Sequence, residues 1–185
     1  MSDERDREDV ITLLRRQHDE IRELFERLTR ETGDARRETF HRLVQLLSVH
    51  ETAEEEIVHP QVQELTAGRT VVEARLKEEN SAKELLSTLQ EMGPEAEGFD
   101  TLLGQLREDV LAHADHEERE EFPLLASNCD EHRLLDMAAS ARAAEAIAPT
   151  RPHPGVESRE ANMLLGPPAA IMDRARDAIR GALGR

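Results

Sequence analysis

The sequence predicts an all-α chain built around an up-down-up-down four-helix bundle. Composition is the first reason: the 185 residues include no Trp, no Tyr and four Phe, whereas Ala, Leu, Glu and Arg, all good helix formers, are abundant. Patterning is the second, because apolar residues recur at helical spacing through four segments of about twenty residues or more. The breaks between those segments are short, as they are between antiparallel neighbours in a bundle. A chain of this length is one domain of ordinary size with room for a tail.

The first helix is expected over Arg7 to Thr29, on the stripe Val10, Leu13, Leu14, Ile21, Leu24, Phe25 and Leu28. His18 falls inside that stripe, where the period calls for an apolar residue. Thr32-Gly33-Asp34 breaks the chain, with Asp34 the expected N-cap. The second helix runs from Ala35 to Leu65, and its stripe reads Phe40, Leu43, Val44, Leu47, His50, Glu54, Ile57 and Val58. Two polar residues thus stand in an apolar row. Pro60 is expected to kink or end the helix, and Gly68 closes the segment.

The third helix spans Thr70 to Met92 through Val72, Leu76, Ala82, Leu86 and Leu89, with Glu79 in the slot between Leu76 and Ala82. Glu78 lies on the neighbouring column, so periodicity leaves the choice between Glu78 and Glu79 open. After Gly93-Pro94 the fourth helix covers Phe99 to Leu125, with Leu102, Leu103, Leu106, Val110 and Leu124 inward and His113 and Glu117 interrupting that face. An Ala-rich fifth helix follows from Asp130 to Ile147. The stretch APTRPHPG then reads as a linker or strap, ahead of a last helix over Pro168 to Leu183. Its Ile171, Ala175, Ala178 and Ile179 suit docking on the bundle or on another subunit. The expected organisation is a bundle over 7–127, an additional helix over 128–148, and a proline-rich linker with a short C-terminal helix over 149–185.

One pattern occurs twice. His50 and Glu54 are four residues apart, as are His113 and Glu117, and a proline (Pro60, Pro123) follows each His by ten residues. A His and a Glu at i and i+4 project side by side from one helical face. Buried carboxylates without a counter-charge are costly, and here Glu54, Glu117 and Glu79 point inward together with His18, His50 and His113. Two metal cations at one depth of the bundle satisfy all six, and mixed imidazole and carboxylate donors suit iron. His41, His59 and His132 lie off the stripes, and His153 falls in the linker, so these are read as bystanders. His116 flanks the inward face as an outer neighbour, and Glu51, beside His50, can reach an open coordination position.

Other metal classes fit poorly. Glu38-x-x-His41 and Glu56-x-x-His59 both lie on one helix, whereas a ferritin-like centre draws Glu-x-x-His from two. The His-Glu-x-x-His motif of zinc hydrolases is absent. Cys129 is the single cysteine, which excludes zinc fingers and an internal disulfide and fits a reducing cytoplasm. A net charge of −16 repels nucleic acid and anionic membranes. The polar N-terminus MSDERDREDV is not expected to act as a leader peptide, and no apolar run reaches the length of a membrane span. The expectation is a soluble cytoplasmic protein.

These residues resemble those of the hemerythrin family, in its HHE cation-binding branch. The resemblance covers about Leu13 to Leu125 and rests on RRQHDEIRELF around His18, HETAEEEIVHP from His50, KEENSAKELL around Glu79 and HADHEEREEFP from His113. The tail, TRPHPG with ANMLLGPP and a terminal helix, is similar to an extension in some bacterial members. The resemblance implies a four-helix bundle holding two non-heme iron ions, with an oxo or hydroxo bridge between them allowed. It implies His18, His50 and His113 as terminal ligands, and Glu54 and Glu117 as bridging carboxylates. On the third helix the family usually has a His, and this chain has Glu79 at the matching position. More carboxylate favours the ferric state, which suits oxidative chemistry better than reversible dioxygen carriage.

The expected function is binding or detoxification of a small oxidant, whether hydrogen peroxide, nitric oxide or dioxygen, by a non-heme di-iron site. If the protein is an enzyme, it is a catalase- or peroxidase-like oxidoreductase. The alternative is a non-enzymatic iron or oxygen binding or sensing protein. The expected partner is that small molecule, with no nucleic acid and no membrane, and the sequence leaves the oligomeric state open.

Overall fold

The structure is a computed structural model that describes residues 8–147 and 168–184. The expected linker over 149–167 and the expected helix start at Arg7 lie outside the described residues. Helix α1 (Val10–Leu28) begins at Asp9, whose carboxylate accepts the Thr12 N–H at 2.8 Å and so caps the first turn. Helix α2 (Gly33–Ala53) follows a four-residue break, and its first residue, Gly33, takes φ 59, a left-handed value that glycine adopts without strain. The cap position is Thr32 rather than Asp34, and its side chain makes no capping bond. Asp34 sits instead in the first turn, where the helix dipole favours an acid.

The helix does not end at Pro60. Residues Glu54–Val58 form a π-helical turn, and the coil then resumes as α3 (His59–Gln63) with Pro60 in its first turn. The His59 N–H reaches back five residues to the Glu54 carbonyl. The second copy of the sequence pattern behaves in the same way. Helix α5 (Phe99–His116) widens into a π turn over Glu117–Glu121, and α6 (Phe122–Asn128) continues with Pro123 in its first turn. The Phe122 N–H reaches the Glu117 carbonyl. A proline offers no N–H and its ring clashes with the carbonyl four residues back. A widened turn just before each proline lets the chain continue without breaking.

Between these two long elements lies α4 (Gly68–Met92), ended by Gly93 at φ 79. Gly68 is required by contact: a Cβ there would lie 1.6 Å from the Val62 carbonyl oxygen. Helices α1 and α2 pair closely, as do α4 and α5, and the faces between them hold Leu13, Leu14, Leu43, Leu47, Leu86, Leu89 and Leu106, all buried. The all-α bundle expected from the sequence is the one observed, with no strand among the described residues.

Two further helices cover one side. Helix α7 (Glu131–Ile147) packs on α1 and α2 through Ala138, Ala141 and Ala144, whose small side chains allow close approach. Helix α8 (Pro168–Ala182) lies against α7 and α2, burying Ile171, Ala175 and Ile179. Of the two docking places open to it from sequence, it takes the bundle of its own chain. Arg180 grips both oxygens of Glu56 at 3.1 Å, and Arg176 joins at 3.0 Å, so α8 is tied to the first π turn. None of the described helices is long and apolar enough to cross a membrane.

Because Ile179 is fully buried, Ile179→Ala should lower unfolding free energy by about 2–5 kcal/mol, the cost of a large-to-small core change. Chemical denaturation checks this; an unchanged midpoint would mean that α8 does not dock.

Candidate metal centre

Midway along the bundle, α1, α2, α4 and α5 and the two π turns bring acids and imidazoles together in an otherwise apolar interior. His18 comes from α1, His50 from α2, Glu54 from the first π turn, Glu79 from α4, His113 from α5 and Glu117 from the second π turn. All six are buried, Glu54 and Glu117 completely. Their donor atoms fall into two groups, one of His18, His50, Glu54 and Glu117, the other of Glu54, Glu79 and His113, each with its atoms within 4.8 Å of one another.

The two buried carboxylates join the groups. Glu54 turns Oε1 to His50 Nε2 at 3.2 Å and Oε2 to His113 Nε2 at 3.9 Å. Glu117 turns Oε2 to His18 Nε2 at 3.2 Å and Oε1 to His113 Nε2 at 3.3 Å. Nevertheless neither oxygen of either residue makes a hydrogen bond, and Nε2 of His113 and Oε2 of Glu79 lack one as well. Buried polar atoms are almost always satisfied. A pair of cations between these donors would satisfy them, so the residues present fit a two-metal centre.

The histidines are held by their other nitrogen. Nδ1 of His18 lies 2.9 Å from Glu118, that of His50 lies 2.7 Å from the Gln17 side-chain oxygen, and that of His113 lies 2.9 Å from Glu78. Donation from Nδ1 to these acceptors leaves Nε2 free to face inward, the arrangement that orients metal-binding imidazoles. Gln17 in turn donates to Glu145 of α7 at 2.7 Å. Glu78 also accepts from the half-exposed His116 at 2.9 Å, so His116 supports the site from outside. Phe122 stacks on the His18 ring at 5.8 Å between centroids.

Residues 9–125 match the family model of the Hemerythrin HHE cation binding domain. The chain belongs to this hemerythrin family. Over 134 residues, 72% of the chain, it is also 25% identical to a DNA nickase of a Nostoc species, and the match spans 38% of that protein's length. No solved structure matches the chain.

Charge in this hemerythrin-type site is arranged around the two fully buried acids, Glu54 and Glu117. Burial, with the adjacent Glu117 charge, raises the Glu54 carboxyl well above its usual range. Burial acts the same way on Glu117, but His113 and His18 outweigh it and hold that carboxylate well below normal. His113 is raised well above normal, since the neighbouring acids, Glu117 first, overcome the effect of burial. His50 is pushed down to about 3 by burial and by the nearby His18. Glu51, beside His50, is pushed up to about 8 by burial and by the Glu79 charge.

One residue read as a bystander from sequence is not one. His59 is buried, with Nε2 at 2.6 Å from Glu79 Oε1 and Nδ1 at 2.8 Å from Glu121 Oε1. Burial favours its neutral form, but Glu121 and Glu79 outweigh burial and raise it to about 11. Nine residues after His50, at about 100° per residue, an α-helix would put His59 on the far face. The π turn absorbs the difference and swings it inward. Pro60 and Pro123, set inside helices that continue, were the sequence signal for that widening. His132 is exposed and bonds only within its own helix, as expected for a bystander.

With no metal, Glu54 and His113 thus hold a proton more tightly than the free groups do, and a metal ion binding there would displace it. Metal uptake near neutral pH should release protons, and affinity should rise with pH. Calorimetric titration in two buffers of different ionisation enthalpy checks this; buffer-independent heats would contradict it.

Proposed function

We propose that this protein holds two non-heme iron ions in the bundle and uses them to bind and detoxify a small oxidant: hydrogen peroxide, nitric oxide or dioxygen. The observation that carries this reading is the sharing of Glu54 and Glu117, each with one oxygen toward each donor group. Bound iron would supply a redox-active pair with a position open to a small ligand. His18 and His50 would hold one ion, His113 and Glu79 the other, and Glu54 and Glu117 would bridge them.

The surroundings support a small ligand. Beside the donors is a cavity of about 10 Å³, bordered by His50, Glu51 and His113 on its polar side and by Ile21, Leu47, Ala82 and Val110 elsewhere. That is space for about one water-sized molecule. Its apolar wall limits competing water, and Glu51 presents a carboxyl oxygen without a hydrogen-bond partner. The chain offers no Tyr or Trp on which a radical could be stored, which suits a centre exposed to oxidants. The charge of −16 opposes a nucleic-acid partner, so the activity named for the Nostoc relative is not part of this reading.

A non-enzymatic sensing role is the second reading, favoured by one chain of contacts. His50 bonds Gln17, Gln17 bonds Glu145, and Glu145 lies on α7, outside the matched segment. A change at His50 would thus reach α7 directly.

Elemental analysis with an absorption spectrum above about 300 nm, where a chain lacking Tyr and Trp has no band of its own, tests the centre. Two irons per chain and a band that responds to peroxide are expected. Glu54→Ala should lose both ions and Glu79→Ala one, with His132→Ala unchanged. Full iron in Glu54→Ala would overturn the bridging assignment. Catalytic oxygen release from peroxide, two molecules giving two water and one dioxygen, separates enzyme from sensor, in which binding is stoichiometric.

A further inference from the structure

The two donor groups are unequal. One combines two imidazoles with two carboxylates, His18, His50, Glu54 and Glu117; the other has two carboxylates and a single imidazole, Glu54, Glu79 and His113. Beside the poorer group stands a fourth buried histidine built like the other three. His18, His50 and His113 each have Nδ1 held from outside, by Glu118, Gln17 and Glu78, and turn Nε2 to a carboxylate inside the site at 3.2–3.3 Å. His59 has Nδ1 held by Glu121 at 2.8 Å and turns Nε2 to Glu79, the carboxylate of the poorer group, at 2.6 Å.

We propose that His59 is a ligand of the second metal ion, with Glu121 as the carboxylate that orients its ring. This rests on the two-metal reading above and gives each group two imidazoles. Three observations support it beyond the parallel. Glu121 is completely buried and its second oxygen lacks a hydrogen-bond partner, so its ordered place in the core serves His59. Glu79 lies between His59 Nε2 at 2.6 Å and Lys83 Nζ at 3.6 Å. A cation at the second group would take Glu79 from His59, displace the Nε2 proton to solvent, and leave Nε2 facing that cation with its lone pair. Lastly, His59 reaches this position through the π turn that also carries Glu54, so one local distortion delivers both a bridge and a nitrogen.

The alternative is that His59 stays protonated and only neutralises Glu79 and Glu121. His59→Gln separates the two, because a Gln amide can still donate a hydrogen bond to Glu79 but is a poor substitute for imidazole as a ligand. Cobalt(II) is the probe, titrated into wild type and His59→Gln after circular dichroism has shown the variant folded. Wild type should take two cobalt ions, and the variant one, with the second weakened at least tenfold. Glu121→Gln should weaken the second ion by about 10- to 100-fold, as loss of an orienting partner does. Two tightly bound cobalt ions in His59→Gln would overturn the proposal and leave the two-metal reading standing. Fewer than two in wild type would overturn both.

Should His59→Gln fail to fold, cobalt-loaded wild type decides by itself. Each ligating imidazole keeps an Nδ1–H donated outward and gives one paramagnetically shifted, solvent-exchangeable proton resonance. Four such resonances are expected; three would overturn the assignment.

Discussion

The structure depends on the burial of two carboxylates, Glu54 and Glu117, inside a helical bundle where neither is exposed to solvent. Burying one ionised acid without compensation costs several kcal/mol, and burying two side by side is worse. Everything nearby is arranged in answer. Imidazoles from α1, α2 and α5 surround the pair, and each ring is pinned at its far nitrogen by a polar partner, Glu118, Gln17 or Glu78. Among the described residues this is the only place where the apolar core of Leu, Val and Phe gives way to a polar layer linking all four bundle helices. A cation-binding role, which membership in the hemerythrin HHE family carries, turns that layer from an energetic burden into the reason for the fold.

Much of this was legible in the sequence because a polar residue inside an apolar stripe is conspicuous. His18, His50, Glu54, His113 and Glu117 each broke a helical period, and the four-residue spacing of the repeated pair put His and Glu on one face. Glu79 was legible for the same reason. The supporting residues were not. Gln17, Glu78 and Glu118 lie one position from an inward residue, and helical periodicity alone does not separate a side chain that curls under the site from one in solvent. His59 was hidden by a different cause, since it follows a turn of altered pitch and an α-helical period assigns it to the wrong face. Glu121 shares a face with Glu117 four residues earlier, but it ends a run of charged residues that reads as a solvated face. The helix ends differ by a little as well: Thr32, not Asp34, takes the cap position because Gly33 starts the helix two residues earlier than expected.

The two helices beyond the matched segment are more than a lid on the bundle. Helix α7 reaches the His50 ring through Glu145 and Gln17. Helix α8 reaches the first π turn through Arg176 and Arg180 on Glu56, two residues from Glu54. Orienting partners influence the basicity of a ligand as well as its position. The C-terminal part of the chain thus sits where it can tune the centre without contributing a donor atom to it.

The π turns have a consequence for chain length. A π turn is a helix holding one residue more than its pitch requires, and both long helices store that surplus beside the prolines. Were the turn over Glu54–Val58 to tighten to α geometry with all its residues kept, every side chain beyond it would rotate by about 100°. His59 would leave the core although no side chain had been altered. Removing one residue from Glu55–Val58 would instead relieve the surplus and keep His59 on its present face, so pitch and residue count together set the chemistry at this site.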